Sequence, residues 1–349
     1  MDPSLLAMGV GATSLAVLLQ RAWAHVRRQR LSYVDLPFGG WPLAPTSDAF
    51  AERARGALVG AALGDALGFF RESLPPWLCR LRFGEAPKHR PGRLRFMRKP
   101  GTISDDTQLS LIVARSIAND GSVSVERFER ELSDWIPRAI GAGRATLHAA
   151  RALARNSPSP DPKSLGNGAA IRVAPLAVAL GQSQKMLDAV RRISSSTHTH
   201  PEAIAAAELV ALLYTRALLR LELDVDALDR ALHETSTKDP STWRAVLSRA
   251  HGAALSAGDL GPTSGLVFDT VGAAVFLFVR YPKDPLRGLA ELFTRGGDVD
   301  SIGSIYCGWV GARETLSAFD NTLIAPLQGL GVIVKEADRL ATIRKKIRS

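Results

Sequence analysis

Apolar side chains recur every three to four residues along most of the chain, the spacing that lays them on one face of an α-helix. This pattern predicts helices over Ala51–Leu67, Leu109–Ala118, Val125–Ile136, Leu147–Ala154, Ala203–Leu221, Trp243–Leu255, Thr270–Val279 and Ile302–Leu316. Ser47 or Asp48 stands where the first of these needs an N-cap, since a short oxygen-bearing side chain can accept from the unpaired amides of a first turn. Strict apolar/polar alternation, the mark of a half-buried strand, is almost absent, and the stretches between helices carry Gly, Pro, Ser and Asp. The expected fold is all-α: a single compact orthogonal helical domain, with its chemistry where carboxylate-bearing loops run into helix starts.

The N-terminus departs from this pattern. Leu5 to Leu19 is charge-free and mostly apolar, and Arg21, Arg27, Arg28 and Arg30 follow it. The run is short of the ~20 residues a membrane span needs, and it lacks the preceding positive charges of a signal peptide. Read as an anchor, residues 5–19 would give weak membrane association with the rest of the chain in the cytoplasm; a packed N-terminal helix is the alternative. Pro37-Phe38-Gly39-Gly40-Trp41-Pro42 reads as a linker. The expected division is an N-terminal hydrophobic and basic segment over 1–45 and a domain over 46–349, working as a cytoplasmic monomer.

Composition narrows the chemistry. At 349 residues and 46% hydrophobic, the chain can bury a large core. Its two cysteines, Cys79 and Cys307, lack zinc-type spacing, so any metal must be held by oxygen. The net charge of +10 is concentrated in Arg80 to Lys99, with eight Lys/Arg against Glu85, and in Lys335 to Arg348, with six against Glu336 and Asp338. Such patches are either solvated surface or attractors for an anionic substrate.

Two segments carry paired carboxylates into helix starts. One is Gly101-Thr102-Ile103-Ser104-Asp105-Asp106-Thr107-Gln108; the other is Arg295-Gly296-Gly297-Asp298-Val299-Asp300-Ser301. Either could be a simple helix cap. A cap needs one such residue, however, and adjacent aspartates repel each other unless something positive lies between them. Two such clusters point to a hard divalent cation, Mg²⁺ or Mn²⁺, and the carboxylates suffice for two ions about 3.5–4 Å apart.

With these motifs stand Gly64-Asp65-Ala66-Leu67-Gly68 followed by Glu72, then Gly166-Asn167-Gly168-Ala169-Ala170-Ile171-Arg172, and Thr197-His198-Thr199-His200-Pro201. Taken in order, the five resemble the ADP-ribosyl-acceptor hydrolases, or ADP-ribosylglycohydrolases, a family that includes the dinitrogenase reductase-activating glycohydrolases. The resemblance runs from about residue 56 to 318 and leaves 1–45 unexplained. Ser104 stands where the family usually has Thr, and Ile171 where it has Met.

The resemblance implies an all-α fold with a dinuclear Mg²⁺ centre, Mn²⁺ being an alternative, ligated by Ser104, Asp105, Asp106, Asp298, Asp300 and Ser301. It implies removal of ADP-ribose from a modified protein or nucleic acid, with Glu72, Asp105 and Asp106 as the catalytic groups. Gly141, Gly143, Gly166, Asn167, Gly168 and His198 would hold the ligand, glycines letting backbone amides face phosphate oxygens. Arg172 could contribute here or pair with a core carboxylate. By position, Arg80 to Lys99 is the acceptor-side loop. A non-catalytic ADP-ribose-binding module, or a hydrolase of another ribosyl or phosphoryl compound, would be compatible with the same residues.

Overall fold

The computed structural model describes residues 36–84, 86–89, 98–256 and 258–348. Among these the helices are α1 (Ala49–Gly68), α2 (Pro76–Phe83), α3 (Asp105–Ser116), α4 (Val125–Trp135), α5 (Arg144–Leu153), α6 (Ala174–Leu180), α7 (Gln184–Ser195) and α8 (Pro201–Leu218). They continue as α9 (Val225–His233), α10 (Pro240–Leu255), α11 (Val267–Arg280), α12 (Pro285–Phe293), α13 (Val299–Glu314), α14 (Asn321–Ile324) and α15 (Leu330–Arg348). Short 3₁₀ turns cover Ile136–Arg138, Asn167–Arg172 and Leu316–Ala318. The only extended pairings among the described residues are isolated bridges, so the all-α expectation holds.

Two helices buried on almost every face, α1 and α13, form the axis of the fold. Their contact is set by glycine at every fourth position. A Cβ added at Gly56, Gly60 or Gly64 of α1 would lie 2.0, 2.4 or 2.0 Å from the carbonyl oxygen of Gly311, Cys307 or Gly303 on α13. At Gly68 it would lie 2.5 Å from the Cα of Asp300. Residues four apart share one helix face, so this glycine stripe lets the two backbones touch along four turns. Helices α8 and α11, apolar around most of their circumference, pack beside this pair, while α4, α7, α9 and α12 bury only one face.

All eight helices expected from periodicity are present, with ends shifted by a few residues. Asp48, not Ser47, caps α1, accepting from the Phe50 amide at 2.9 Å. Helices α2, α6, α7, α9, α12, α14 and α15 were not expected. Several begin with proline at a first-turn position, which reads as loop in isolation but suits a turn whose amides are unpaired anyway.

Two expectations about charge and linkage change. The basic tail is helix α15, and three of its cations are bonded within the fold. Arg339 donates to the carbonyls of Ile117 (2.8 Å) and Ala114 (2.5 Å) at the end of α3, Arg344 donates to Leu180 at the end of α6, and Lys345 pairs with Asp48. The two arginines satisfy helix C-termini, and Lys345 pairs with the residue that caps the start of α1. The Pro37–Pro42 stretch is tied to the domain: the Gly329 amide donates to the Pro37 carbonyl at 2.8 Å, and Phe38 bridges to Gln328. Residues 5–19 and 90–97 lie outside the described residues. No described helix is long and apolar enough to cross a membrane.

Candidate active site

The first carboxylate cluster is built on Asp65, a fully buried α1 residue to which sequence reading gave no role. Its carboxylate accepts from the Ser104 amide (3.1 and 3.0 Å), the Thr107 amide (3.2 Å) and the Thr107 hydroxyl (2.5 Å). Asp65 thus grips the N-terminus of α3 from the neighbouring helix. Ser104 is the N-cap, its hydroxyl accepting from the Asp106 amide at 3.2 Å. The Asp105 amide donates to the Ile140 carbonyl at 2.7 Å, which lays the Gly141 loop beside Asp105. Gly141 has φ +82°, and a Cβ there would sit 3.2 Å from Asp105 Oδ1, so only glycine lets this loop pass so close.

The second cluster differs. Asp298 occupies the N-cap position of α13 but makes no side-chain cap bond. Its carboxylate accepts from Asn167 Nδ2 at 2.6 Å, and the same Nδ2 donates to Thr270 Oγ1 at 2.9 Å. Gly297, at φ +82°, lets the backbone turn against Thr263, whose carbonyl takes the Asp298 amide at 2.7 Å. The cap reading therefore describes Ser104 and fails for Asp298, whose side chain is turned toward the other carboxylates.

Glu72 arrives from the turn after α1. Buried Arg71 anchors that turn by donating to the carbonyls of Leu67 (2.7 Å) and Ala86 (3.0 Å), and the Ser73 amide donates to Gly297 at 2.9 Å. One carboxylate oxygen each from Glu72, Asp298 and Asp300 lie within 4.8 Å of one another. These residues, with Asp105, Asp106 and Ser301, line a cleft of about 760 Å³. The rest of its lining is Gly141–Thr146, Ser164–Gly168, His198 and Ser264–Leu266. The volume is within the ~300–1,000 Å³ usual for small-molecule sites.

Burial and mutual repulsion dominate the electrostatics. The Asp105 carboxyl is held well above the ordinary range by burial first, then by Asp65 and Glu72. Asp106 is raised by burial and by Asp105, Asp65 and Asp298; Asp300 by burial and by Glu72, Asp298 and Asp106. Burial lifts Asp65 to about 6, against the lowering effect of its Thr107 and Ser104 hydrogen bonds. Asp106 Oδ2 and Asp300 Oδ1 are buried without a hydrogen-bond partner among the described residues. An orphaned carboxylate oxygen is costly unless something positive supplies the missing contact. The donor set, oxygen only and carboxylate-rich, suits a hard divalent cation.

Of the residues expected at the site, Glu72, Asp105, Asp106, Asp298, Asp300, Ser301, Gly141, Gly143, Gly166, Asn167, Gly168 and His198 all line this one cleft. Ser104 does not: its side chain is engaged at the start of α3, behind the wall. Asn167 spends both amide protons on Asp298 and Thr270, so it positions a carboxylate where a ligand contact was expected. Among the described residues Arg172 pairs with no carboxylate; it donates to the Ile193 carbonyl and the Thr197 hydroxyl and lies over the Phe128 ring. Sequence reading missed Asp65 and also Arg144, which lines the cleft at the start of α5.

An all-α chain that gathers carboxylates at helix starts around a polar, glycine-walled cleft has oxygen donors suited to a hard cation in a pocket of small-molecule size. The chain belongs to the ADP-ribosylglycohydrolase family, whose sequence profile matches residues 46–348. It is similar to the Escherichia coli protein YegU, 29% identical over 329 residues that cover 85% of this chain and 97% of that protein. An ADP-ribosyl-[dinitrogen reductase] glycohydrolase from Rhodospirillum rubrum is 34% identical over 167 residues, 46% of this chain and 56% of the relative. An ADP-ribosylarginine hydrolase from Serratia proteamaculans is 28% identical over 277 residues, 75% and 71% of the two chains. A solved structure titled an ADP-ribosylglycohydrolase-related protein complex superposes with TM-score 0.63 at 26% identity, covering 84% of this chain and 99% of its own.

Proposed function

We propose that the protein is a divalent-cation-dependent hydrolase that releases ADP-ribose from a modified protein side chain, arginine being the favoured acceptor. The observation that carries the cation dependence is the pair of orphaned, buried oxygens, Asp106 Oδ2 and Asp300 Oδ1, within a cluster of repelling carboxylates. The arginine acceptor rests on the similarity to the ADP-ribosylarginine hydrolase. Asp105, Asp106, Asp298, Asp300 and Ser301 would hold two Mg²⁺ or Mn²⁺ ions, with Ser104 supporting from behind. When bound, such ions supply charge compensation and Lewis-acid polarisation of the oxygens placed against them.

The remaining steps fall to the chain. The distal ribose enters the carboxylate end of the cleft, and the diphosphate lies along the glycine wall, where the Gly168 amide and the start of α5 with Arg144 favour negative charge. Glu72, on the pinned turn at the carboxylate cluster, accepts the proton of the water that attacks the anomeric carbon. Positive charge develops on the ribose as the bond to the acceptor breaks, and the surrounding carboxylates stabilise it.

The deciding experiment assays ADP-ribosylated arginine, serine, DNA and RNA substrates with Mg²⁺, with Mn²⁺ and with EDTA. Release from the arginine substrate, lost in EDTA and in Asp298→Ala, is expected. ADP-ribose binding by calorimetry without release from any substrate would identify a binding module instead, and full activity of Asp298→Ala would overturn the site.

A further inference from the structure

The residues behind His198 form a chain of hydrogen bonds with a fixed direction. Arg172 Nη2 donates to Thr197 Oγ1 at 2.7 Å, and Thr197 Oγ1 lies 2.8 Å from His198 Nδ1. All three side chains are buried. A threonine hydroxyl has one proton to give. Its alternative acceptor, the Ser194 carbonyl, is 3.3 Å away and already takes the Thr197 amide at 3.0 Å and the His198 amide at 2.9 Å. With both lone pairs of that carbonyl engaged and the Thr197 oxygen receiving the guanidinium, the hydroxyl proton is left for Nδ1. The positive charge of Arg172 adds to this, since it disfavours an N–H on the ring nitrogen nearest to it and strengthens the hydroxyl as a donor.

We propose that Arg172 and Thr197 are positioning residues that lock His198 in the tautomer with its proton on Nε2, making it a neutral, one-directional donor to an acceptor oxygen of the ligand. Nε2 is the nitrogen that faces the glycine wall: a Cβ at Gly166 or Gly168 would stand 3.7 or 3.5 Å from it. Burial holds the imidazole down to about 3, with Arg172 adding to the effect and Asp161 opposing it, so the ring carries no charge at neutral pH. Backbone bonds hold the ring's segment on both sides, Asp161 N to Thr197 O at 3.0 Å and Thr199 N to Asp161 O at 3.1 Å. The ligand meant here rests on the proposed ADP-ribose reading, but the tautomer does not.

The test is nitrogen NMR of the full chain, with the His198 signal identified by its absence in His198→Gln, beside calorimetry with ADP-ribose and Mg²⁺. Wild type and Thr197→Ser should show a bare Nδ1 and a protonated Nε2. Thr197→Val, nearly isosteric but without the hydroxyl, should show mixed or reversed tautomers and bind ADP-ribose about tenfold more weakly, the worth of one directed hydrogen bond. Thr197→Ser should restore binding. A protonated Nδ1 in the wild-type protein would overturn the proposal, as would an unchanged tautomer and affinity in Thr197→Val. Should the valine variant not fold, the wild-type spectrum still decides. Should wild type bind no ADP-ribose while showing the expected tautomer, the functional reading falls and the relay stands.

Discussion

Replacing Gly64 by alanine tests whether contact between α1 and α13 holds the site together. The new Cβ would fall 2.0 Å from the Gly303 carbonyl oxygen and 2.7 Å from the Ser304 amide, where ordinary contacts begin at 3.4 Å. Nothing flexible is available to yield, because the obstructing atoms are backbone, so the helices must part by about 1.4 Å at this level. Overpacking of this kind costs up to about 3 kcal/mol, and alanine returns ~1 kcal/mol of helix propensity. The net loss of roughly 2 kcal/mol corresponds to a fall of about 3 °C in Tm for a chain of this size. Activity should suffer more than stability. Asp65 and the α3 carboxylates lie on one side of this seam and Asp298, Asp300 and Ser301 on the other, so separating them spoils one shared geometry. An ångström of misplacement costs on the order of 100-fold in rate. Circular-dichroism melts and initial rates of ADP-ribose release measure the two effects. Gly252→Ala is the control: no atom lies within 4 Å of the added Cβ, so it should melt at or above wild type and keep full activity. Wild-type stability and turnover in Gly64→Ala would refute the close-contact reasoning.

The cation-free protein should lose stability as pH rises. Asp65, Asp105, Asp106 and Asp300 all have folded pKa values above the unfolded 3.8, so between those values the folded state binds more protons than the unfolded state, and unfolding free energy falls with pH. In EDTA, Tm should decline from about pH 4 through the Asp65 value of about 6 and beyond, and Mg²⁺ should remove most of that slope; a flat profile in EDTA contradicts the electrostatics. Asp300→Asn should raise the Tm measured in EDTA, because it removes one repelling charge, while abolishing ADP-ribose release. Asn167→Ala should weaken Mg²⁺ binding by about tenfold, as losing a group that orients a ligand does, with little change in melting temperature; calorimetry of Mg²⁺ binding checks this.

How much was legible in the sequence follows from the range of each interaction. Helical periodicity is local, so the all-α class and eight of the helices could be read directly, as could the two carboxylate clusters and the need for something positive between them. Short helices opened by proline, such as Pro285–Phe293, were missed because they hold together by packing rather than by a long apolar stripe. Sequence placed Asp65, Asn167 and Arg172 inside motifs without revealing their partners, which lie 39 to 42, 103 and 131, and 21 and 25 residues away. Which aspartate caps a helix and which turns to the cleft was likewise undecidable, since Ser104-Asp105-Asp106 and Asp298-Val299-Asp300 offer the same local chemistry.

The residues alone determined the inventory: oxygen ligands without zinc ligands, glycines where backbone must come close, and helices to carry them. Tertiary structure decided the assignments. A glycine every fourth residue means little until α13 lies against it, and a buried carboxylate becomes a clamp or a cation ligand according to which helix end the fold brings within hydrogen-bonding distance.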